Sequence, residues 1–553
     1  MTRKIFIGSA WPYGNGSLHF GHLAALIGGD VLARYFRARG DQVLYVSGTD
    51  SHGTPIVIAA EKQGITPKAL VEKTHSEFVG MFQAFGFSYD NYTSTMTSQH
   101  LAVVQDLFTR LHGKGLLEET EQLLPWCDKD SRFLPDRYVE GSCPHCGFES
   151  ARGDQCDNCG KMLDAKELKN PHCQICGNPD LKWKPTKHIM LKLPVLEKEI
   201  AAWARQHPHW RKNAVNETEK YLAEGLRNRA ITRDINWGIP VPLPGYEDKR
   251  IYVWFEAVCG YLSASREWAE KQGKPERFHE FWDIDSGATH YYVHGKDNIP
   301  FHTVIWPFIL MGAGDLKLPD FIISSEYLNL EKNQFSKSRG WTVDVSKALT
   351  EFGATQLRYY LIMNGPEQSD ASFGWDDFAA KVNGELLGKV GNFVNRSLSQ
   401  IEKNFPEGVT LPASPDAEAQ AILDACPKAF ESAGKFIENG EFRNALWELV
   451  RLCEEANRYL DKAAPWKAIK TDRAAAATVL AVAARVSHCV ARLSAPFIPE
   501  FSVGLSAQLG LDDSAWAYPS GPKTYLAKGV KPLILRADEK LIAAAKAALA
   551  ASF

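Results

Sequence analysis

No unbroken apolar run in this 553-residue chain reaches the ~18–20 residues that cross a bilayer. A charge excess is missing too: 63 Lys and Arg stand against 66 Asp and Glu, a net of −3. No global positive field announces nucleic acid, so a polyanion has to be held by local patches. Internal repeats are absent, and the only biased segment is an alanine-rich stretch near the C-terminus. The opening Met1-Thr2-Arg3-Lys4 runs directly into the strand-like Ile5-Phe6-Ile7-Gly8-Ser9, leaving no room for a signal or transit peptide. These absences predict a cytoplasmic protein with no membrane partner. The balance that remains, 45% hydrophobic and 23% charged, excludes disordered, collagen-like and disulfide-scaffold classes.

Seven of the eleven cysteines lie between Cys127 and Cys176, and Cys259, Cys426, Cys453 and Cys489 are scattered singly in apolar surroundings. In a reducing compartment, clustered C-x-x-C pairs point to metal rather than disulfides, and single apolar cysteines to small core residues. Cys143-x2-Cys146 followed by Cys156-x2-Cys159 has the spacing of a four-thiolate tetrahedral zinc site.

Residues 4–9 read as a buried strand, Leu18 to Arg37 as a helix with Leu23, Leu26, Ile27 and Val31 at three- and four-residue steps, and Gln42–Val46 as a second strand. Strand, helix, strand is a βαβ unit and requires a parallel sheet. Further strand-like runs follow far downstream: Arg250–Trp254, His290–His294 and Phe321–Ser324. The α/β domain is therefore split by a cysteine-rich insertion. From about residue 380 the texture is helical, with a 3.6-residue stripe of Leu446, Leu449, Val450, Cys453, Ala456 and Leu460, then the alanine-rich Ala474–Val490. The predicted fold class is α/β. A Rossmann-type catalytic domain occupies 1–117 and 236–325, with a zinc-binding insertion at 118–235, a linking region at 326–379 and a helical bundle at 380–553.

Two motifs carry chemistry. His19-Phe20-Gly21-His22 opens the first helix, where free N–H groups and the dipole favour phosphate, and two imidazoles can stabilise charge that develops on it. Gln334-Phe335-Ser336-Lys337-Ser338-Arg339 lies on a polar stretch after the Phe321–Ser324 strand, where a lysine could close over a triphosphate as a mobile cation.

Together these motifs resemble the two signatures of class I aminoacyl-tRNA synthetases. Ala10-Trp11-Pro12-Tyr13-Gly14-Asn15-Gly16, Gly48-Thr49-Asp50-Ser51-His52-Gly53, Trp237-Gly238-Ile239-Pro240, Val253-Trp254-Phe255-Glu256-Ala257 and Gly295-Lys296-Asp297 narrow the resemblance to the methionyl-tRNA synthetases. It implies ATP-dependent activation of L-methionine, with Mg2+ accompanying ATP, and transfer to methionine tRNA. His19, Gly21, His22, Asp297 and Lys337 match ATP-binding positions, with His19, His22 and Lys337 the catalytic ones. Trp11, Tyr13, Asp50, Arg233, Trp254, Ala257, Tyr261 and His302 match the methionine site, where aromatics suit a thioether and Asp50 an ammonium. Asn392, Arg396 and Trp466 match the anticodon reader, and single-stranded bases stack on such aromatic faces.

The resemblance also supplies a second metal set, Cys127, Asp130, Cys173 and Cys176, in which Asp130 replaces a thiolate and weakens the hold on zinc. Other departures are Gln334 for the first signature lysine, Trp11 for a smaller apolar residue and Val258 for a proline frequent in some relatives. No small barrel domain follows the bundle, which predicts a monomer. Two readings compete. One is another class I synthetase, disfavoured by the aromatic pocket and an insertion too short for editing. The other is a non-catalytic RNA-binding descendant, disfavoured by intact His19, His22, Asp50 and Lys337.

Overall fold

The computed structural model describes residues 2–153, 156, 158, 159, 161, 163–333, 335, 341–512, 515–520 and 524–550. Gln334 and Lys337 lie outside the described residues.

Seven strands and six helices frame the functional regions. In chain order the strands are β1 (Lys4–Ser9), β2 (Gln42–Thr49), β3 (Asn91–Ser94), β4 (Leu117–Cys127), β5 (Lys182–Leu191), β6 (Thr289–Gly295) and β7 (Phe321–Ser325). The helices are α1 (Phe20–Ala38), α2 (Val253–Lys271), α3 (Asn392–Asn404), α4 (Ala417–Glu438), α5 (Phe442–Ala463) and α6 (Arg473–Ser494). The central sheet has the order β7-β6-β1-β2-β3 and every pairing in it is parallel. The Rossmann-type expectation holds. Alternation along the strands divides the interior: Ile5, Ile7 and Tyr45 face α1 and the helical half, whereas Phe6, Leu44 and Val46 face Phe255, Cys259 and Leu262 of α2.

One expected strand is wrong. Only Arg250–Ile251 pairs as a strand, and Val253 starts α2. The β-branched and aromatic run looks like a strand locally, but Phe255, Val258, Cys259 and Leu262 recur at helical spacing and are all buried.

Between the two halves of the sheet, β4 and β5 form an antiparallel arm in register from Leu117↔Leu191 to Trp126↔Lys182, and its far end carries the cysteines. In the bundle the predicted stripe on α5 is entirely buried. α6, though its apolar run is broken by Arg485 and Arg492, is long and apolar enough, by length and composition, to cross a membrane. Its alanines supply that hydropathy. It is a core helix, with 72% of the relevant window buried and with Arg485 and Arg492 donating to the carbonyls of Pro519 and Ala517.

A buried ion pair ties the sheet domain to the helices. Asp30 on α1 is fully buried and accepts from Arg358 at 2.7 Å, from Arg34 at 2.8 Å and from the Ser88 hydroxyl at 2.6 Å. Arg358 also donates to the carbonyls of Phe85 and Phe497. Burial alone would raise the Asp30 carboxyl, but Arg358 and Arg34 outweigh it and hold it below the usual carboxylate range. Its stabilising effect is therefore present at neutral pH and disappears as pH falls through the lowered value. Arg358→Met leaves Asp30 buried against a missing partner, and should destabilise by about 3–5 kcal/mol. A drop in the urea midpoint, larger for Arg358→Met than for the double variant Asp30→Asn/Arg358→Met, checks this.

Candidate active site

The sheet order reverses between β1 and β6, and the loops leaving the C-terminal ends of β1, β2, β6 and β7 border one cleft there, as open α/β sheets dictate. The cleft has a volume of about 530 Å³. Trp11, Tyr13, His19, Gly21, His22, Asp50, Trp254, Ala257, Tyr261, Asp297 and His302 all line it, so residues nearly 300 positions apart in sequence meet as the motifs required.

One end is aromatic and neutral. The His302 Nδ1–H donates to the Asn298 carbonyl at 2.8 Å, which leaves Nε2 to accept from the Tyr261 hydroxyl at 2.8 Å. Burial pushes His302 down to about 4 and the Tyr261 phenol well up, so neither carries charge at neutral pH. Trp254 meets Phe301 edge-on at 4.3 Å. The unusual Trp11 fits because two glycines yield to it: a Cβ at Gly48 would lie 2.2 Å, and one at Gly260 2.7 Å, from the indole.

Beside this end sits Asp50, 3% exposed, joined to the β1 loop by the Asp50 N–H donating to the Pro12 carbonyl at 2.9 Å. Burial, and then the charge of Glu256, raise its carboxyl well above the ordinary value. Such a site accepts a cation.

The other end suits phosphate. The Gly21 N–H donates to His19 Nδ1 at 3.1 Å and the His19 N–H to His22 Nδ1 at 3.2 Å, a reciprocal cap on α1. Each Nδ1 acts as an acceptor, which places the ring proton of a neutral imidazole on Nε2. Gly21 is required by space, since a Cβ there would lie 2.9 Å from the His19 ring. Phe335, from the second signature, stacks on His19 at 4.7 Å with the planes 6° apart. Asp297 accepts from the Tyr327 hydroxyl at 2.5 Å, and Lys296 bonds Glu326 at 2.7 Å and Asp370 at 2.9 Å.

Arg233 does not line the cleft. It lies one layer behind, its guanidinium over the Tyr252 ring at 3.7 Å and donating to the carbonyls of Ala230 and Thr232. His52, Glu256 and Tyr327 escaped the sequence reading. Each sits inside or beside a quoted motif, yet its partner lies too far along the chain for spacing to reveal.

In the bundle, Arg396 lies over the half-buried Trp466 ring at 4.7 Å and bonds Asp461 at 2.7 Å, while Asn392 is exposed one turn earlier on α3. Ala464, in the left-handed region at φ 42°, ends α5 and lets Pro465 present Trp466. The metal-ligand sets are both assembled. In Cys143, Cys146, Cys156 and Cys159, and again in Cys127, Asp130, Cys173 and Cys176, the ligand atoms lie within 4.8 Å of one another. The Cys143–Cys159 and Cys146–Cys156 sulfurs are 3.9 and 3.6 Å apart. Zn–S bonds of ~2.3 Å in a tetrahedron require about 3.8 Å, so the residues fit zinc.

Family comparison agrees with this geometry. Residues 5–398 match the model of tRNA synthetases class I (M), and residues 406–531 match the anticodon binding domain of methionyl tRNA ligase. The chain is 47% identical to the methionine–tRNA ligase of Dehalococcoides mccartyi over 93% of its length and 94% of that protein. It is 44% identical to the methionine–tRNA ligase of Bacillus cereus, over 98% of each. The fold is that of the Mycobacterium tuberculosis methionyl-tRNA synthetase solved in complex with methionyl-adenylate, with a TM-score of 0.81, 24% identity, and coverage of 97% of this chain and all of that one. The chain belongs to the methionine-type class I tRNA synthetases.

Proposed function

We propose that the chain is a methionine–tRNA ligase, forming methionyl-adenylate from L-methionine and ATP and passing the methionyl group to the 3′ end of methionine tRNA. The observation that supports this most is the single cleft in which a neutral aromatic end, a buried carboxylate and a doubly histidine-capped helix N-terminus stand side by side. Each end suits one part of the reacting pair. The thioether lies among Trp11, Trp254, Tyr261 and His302, and the ammonium pairs with Asp50. ATP enters as its Mg2+ complex, with its ribose at Asp297 and its phosphates at His19 and His22. The methionine carboxylate then attacks the α-phosphorus, and the bond to diphosphate breaks. Lys337 supplies a further positive charge to the leaving diphosphate. Asn392, Arg396 and Trp466 hold the anticodon, which leaves the tRNA acceptor end to reach the adenylate. Incubation with labelled methionine, ATP and methionine tRNA tests the reading. Methionyl-tRNA and AMP should form in equal amounts, and no tRNA-linked methionine would refute it.

One prediction belongs to this site. Gly260→Ala forces the Trp11 indole out of place, since overpacking a filled site costs ~1–3 kcal/mol. Its KM for methionine should rise about ten- to a hundredfold while that for ATP stays constant. The measurement is amino-acid-dependent pyrophosphate exchange.

Zinc in the two ligand sets supplies folding energy to an insertion whose own apolar cluster is small, and takes no part in bond-making. Two zinc ions per chain are expected near neutral pH. As pH falls, the Asp130 set should release its ion first, because three thiolates hold zinc less strongly than four. Metal content after stepwise acidification checks the order, and Asp130→Cys should abolish the difference.

A further inference from the structure

Glu256 is fully buried on α2, yet it does not line the cleft. Its Oε1 lies 2.7 Å from His52 Nδ1, and its Oε2 has no hydrogen-bond partner among the described residues. Leaving one oxygen of a buried carboxylate unmet is costly, and such a group persists where it serves something beyond packing. What links it to Asp50 is His52, which contacts both acids. The Asp50 carboxylate accepts only a long N–H from His52, at 3.4 Å, and no Lys or Arg pairs with either acid among the described residues.

We propose that Glu256, held by His52, is the positioning residue of the ammonium site. It sets a second buried carboxylate beside Asp50, so that the free site retains a proton which the substrate ammonium replaces. The inference rests on the reading of this cleft as the methionine site.

The charge count is simple. Glu256 meets the His52 imidazole, and Asp50 meets the His52 backbone N–H. Behind His52 stands His100, which burial pushes down to about 3 and which therefore adds no charge. Tyr13 faces Asp50 with Tyr252 beyond it, and burial raises the Tyr13 phenol. Cys259, one turn along α2, is raised by burial and by Glu256 itself. Arg137 acts on Tyr13 from the insertion. When an ammonium enters, it pairs with the Asp50 carboxylate and the Asp50 proton passes to solvent. A deaminated ligand has no cation to offer and releases no proton.

Calorimetric titration of the intact chain in two buffers of different ionisation enthalpy reads both effects. The probes are L-methionine and its deaminated analogue, 4-(methylsulfanyl)butanoate. The wild type should prefer methionine strongly and release a proton on binding it alone. Glu256→Gln should reduce that preference about tenfold, the equivalent of one unit of proton affinity, and should cut the proton release. Glu256→Asp should restore both. His52→Gln leaves the two acids and removes the ring that holds Glu256, so it should change the proton release, and this arm stands even where Glu256→Gln does not fold. An unchanged preference and proton count in Glu256→Gln, or an unchanged count in His52→Gln, overturns the proposal. A wild type that binds the two probes equally would instead overturn the methionine reading of the cleft.

Discussion

Alanine at His22 should slow methionyl-adenylate formation about a hundred- to a thousandfold while leaving ATP binding nearly unchanged, the loss of ~2.7–4 kcal/mol typical of one transition-state donor. The expectation follows from the tautomer. His22 Nδ1 is occupied as the acceptor of the His19 N–H at 3.2 Å, so its Nε2–H is the donating atom, and it belongs to a residue that lines the cleft. Charge on the phosphates rises as the bond to diphosphate breaks, and a donor fixed by the helix cap needs no reorganisation at that moment. The same substitution removes part of the cap, which costs about 1 kcal/mol of stability. His19→Asn separates the two effects, because asparagine keeps a capping acceptor and loses the imidazole. Lys337→Ala should behave as His22→Ala does. Single-turnover rates and ATP affinities, measured side by side, decide the matter. Equal losses in both would assign these residues to ground-state binding.

Trp466→Ala should nearly abolish tRNA charging and leave methionine activation intact. Trp466 belongs to the bundle and lines no part of the cleft. Its half-buried ring already carries the Arg396 guanidinium at 4.7 Å, an arrangement that leaves the aromatic face preorganised beside a cation. Stacking on one base is worth ~1–3 kcal/mol. The loss in charging should exceed that, because anticodon docking also aims the acceptor end at the adenylate. Arg396→Ala should give the more salt-dependent defect of the two, since it removes a positive charge. The readout is aminoacylation against pyrophosphate exchange in a variant whose circular dichroism is unchanged. A parallel fall in exchange would make Trp466 a packing residue.

What could be read from the sequence was what is local. The 3.6-residue spacing in α1 and α5, and the short apolar strands β1, β6 and β7, disclose their own structure, and the paired C-x-x-C motifs disclose their ligand geometry. Local pattern also misled. Val253-Trp254 has strand-forming residues but starts a helix whose burial becomes visible only over several turns. Contacts that depend on the closed fold were invisible. Asp30 meets Arg358 across 328 residues and His52 meets Glu256 across 204, and no spacing rule joins them. Arg233 shows the same limit in reverse: a position matched by resemblance packs its guanidinium over the Tyr252 ring, outside the lining of the cleft. The accommodation of Trp11 by Gly48 and Gly260 likewise needed coordinates, since neither glycine has a positive φ to mark it.

The central claim is that this cleft selects methionine and activates it. Amino-acid-dependent ATP–pyrophosphate exchange, run on the intact chain with each of the twenty amino acids and without tRNA, tests it most directly. Rapid exchange with methionine and background rates with the other nineteen is the predicted result. Exchange driven by a different amino acid, or none with methionine in a folded, zinc-loaded sample, would contradict it.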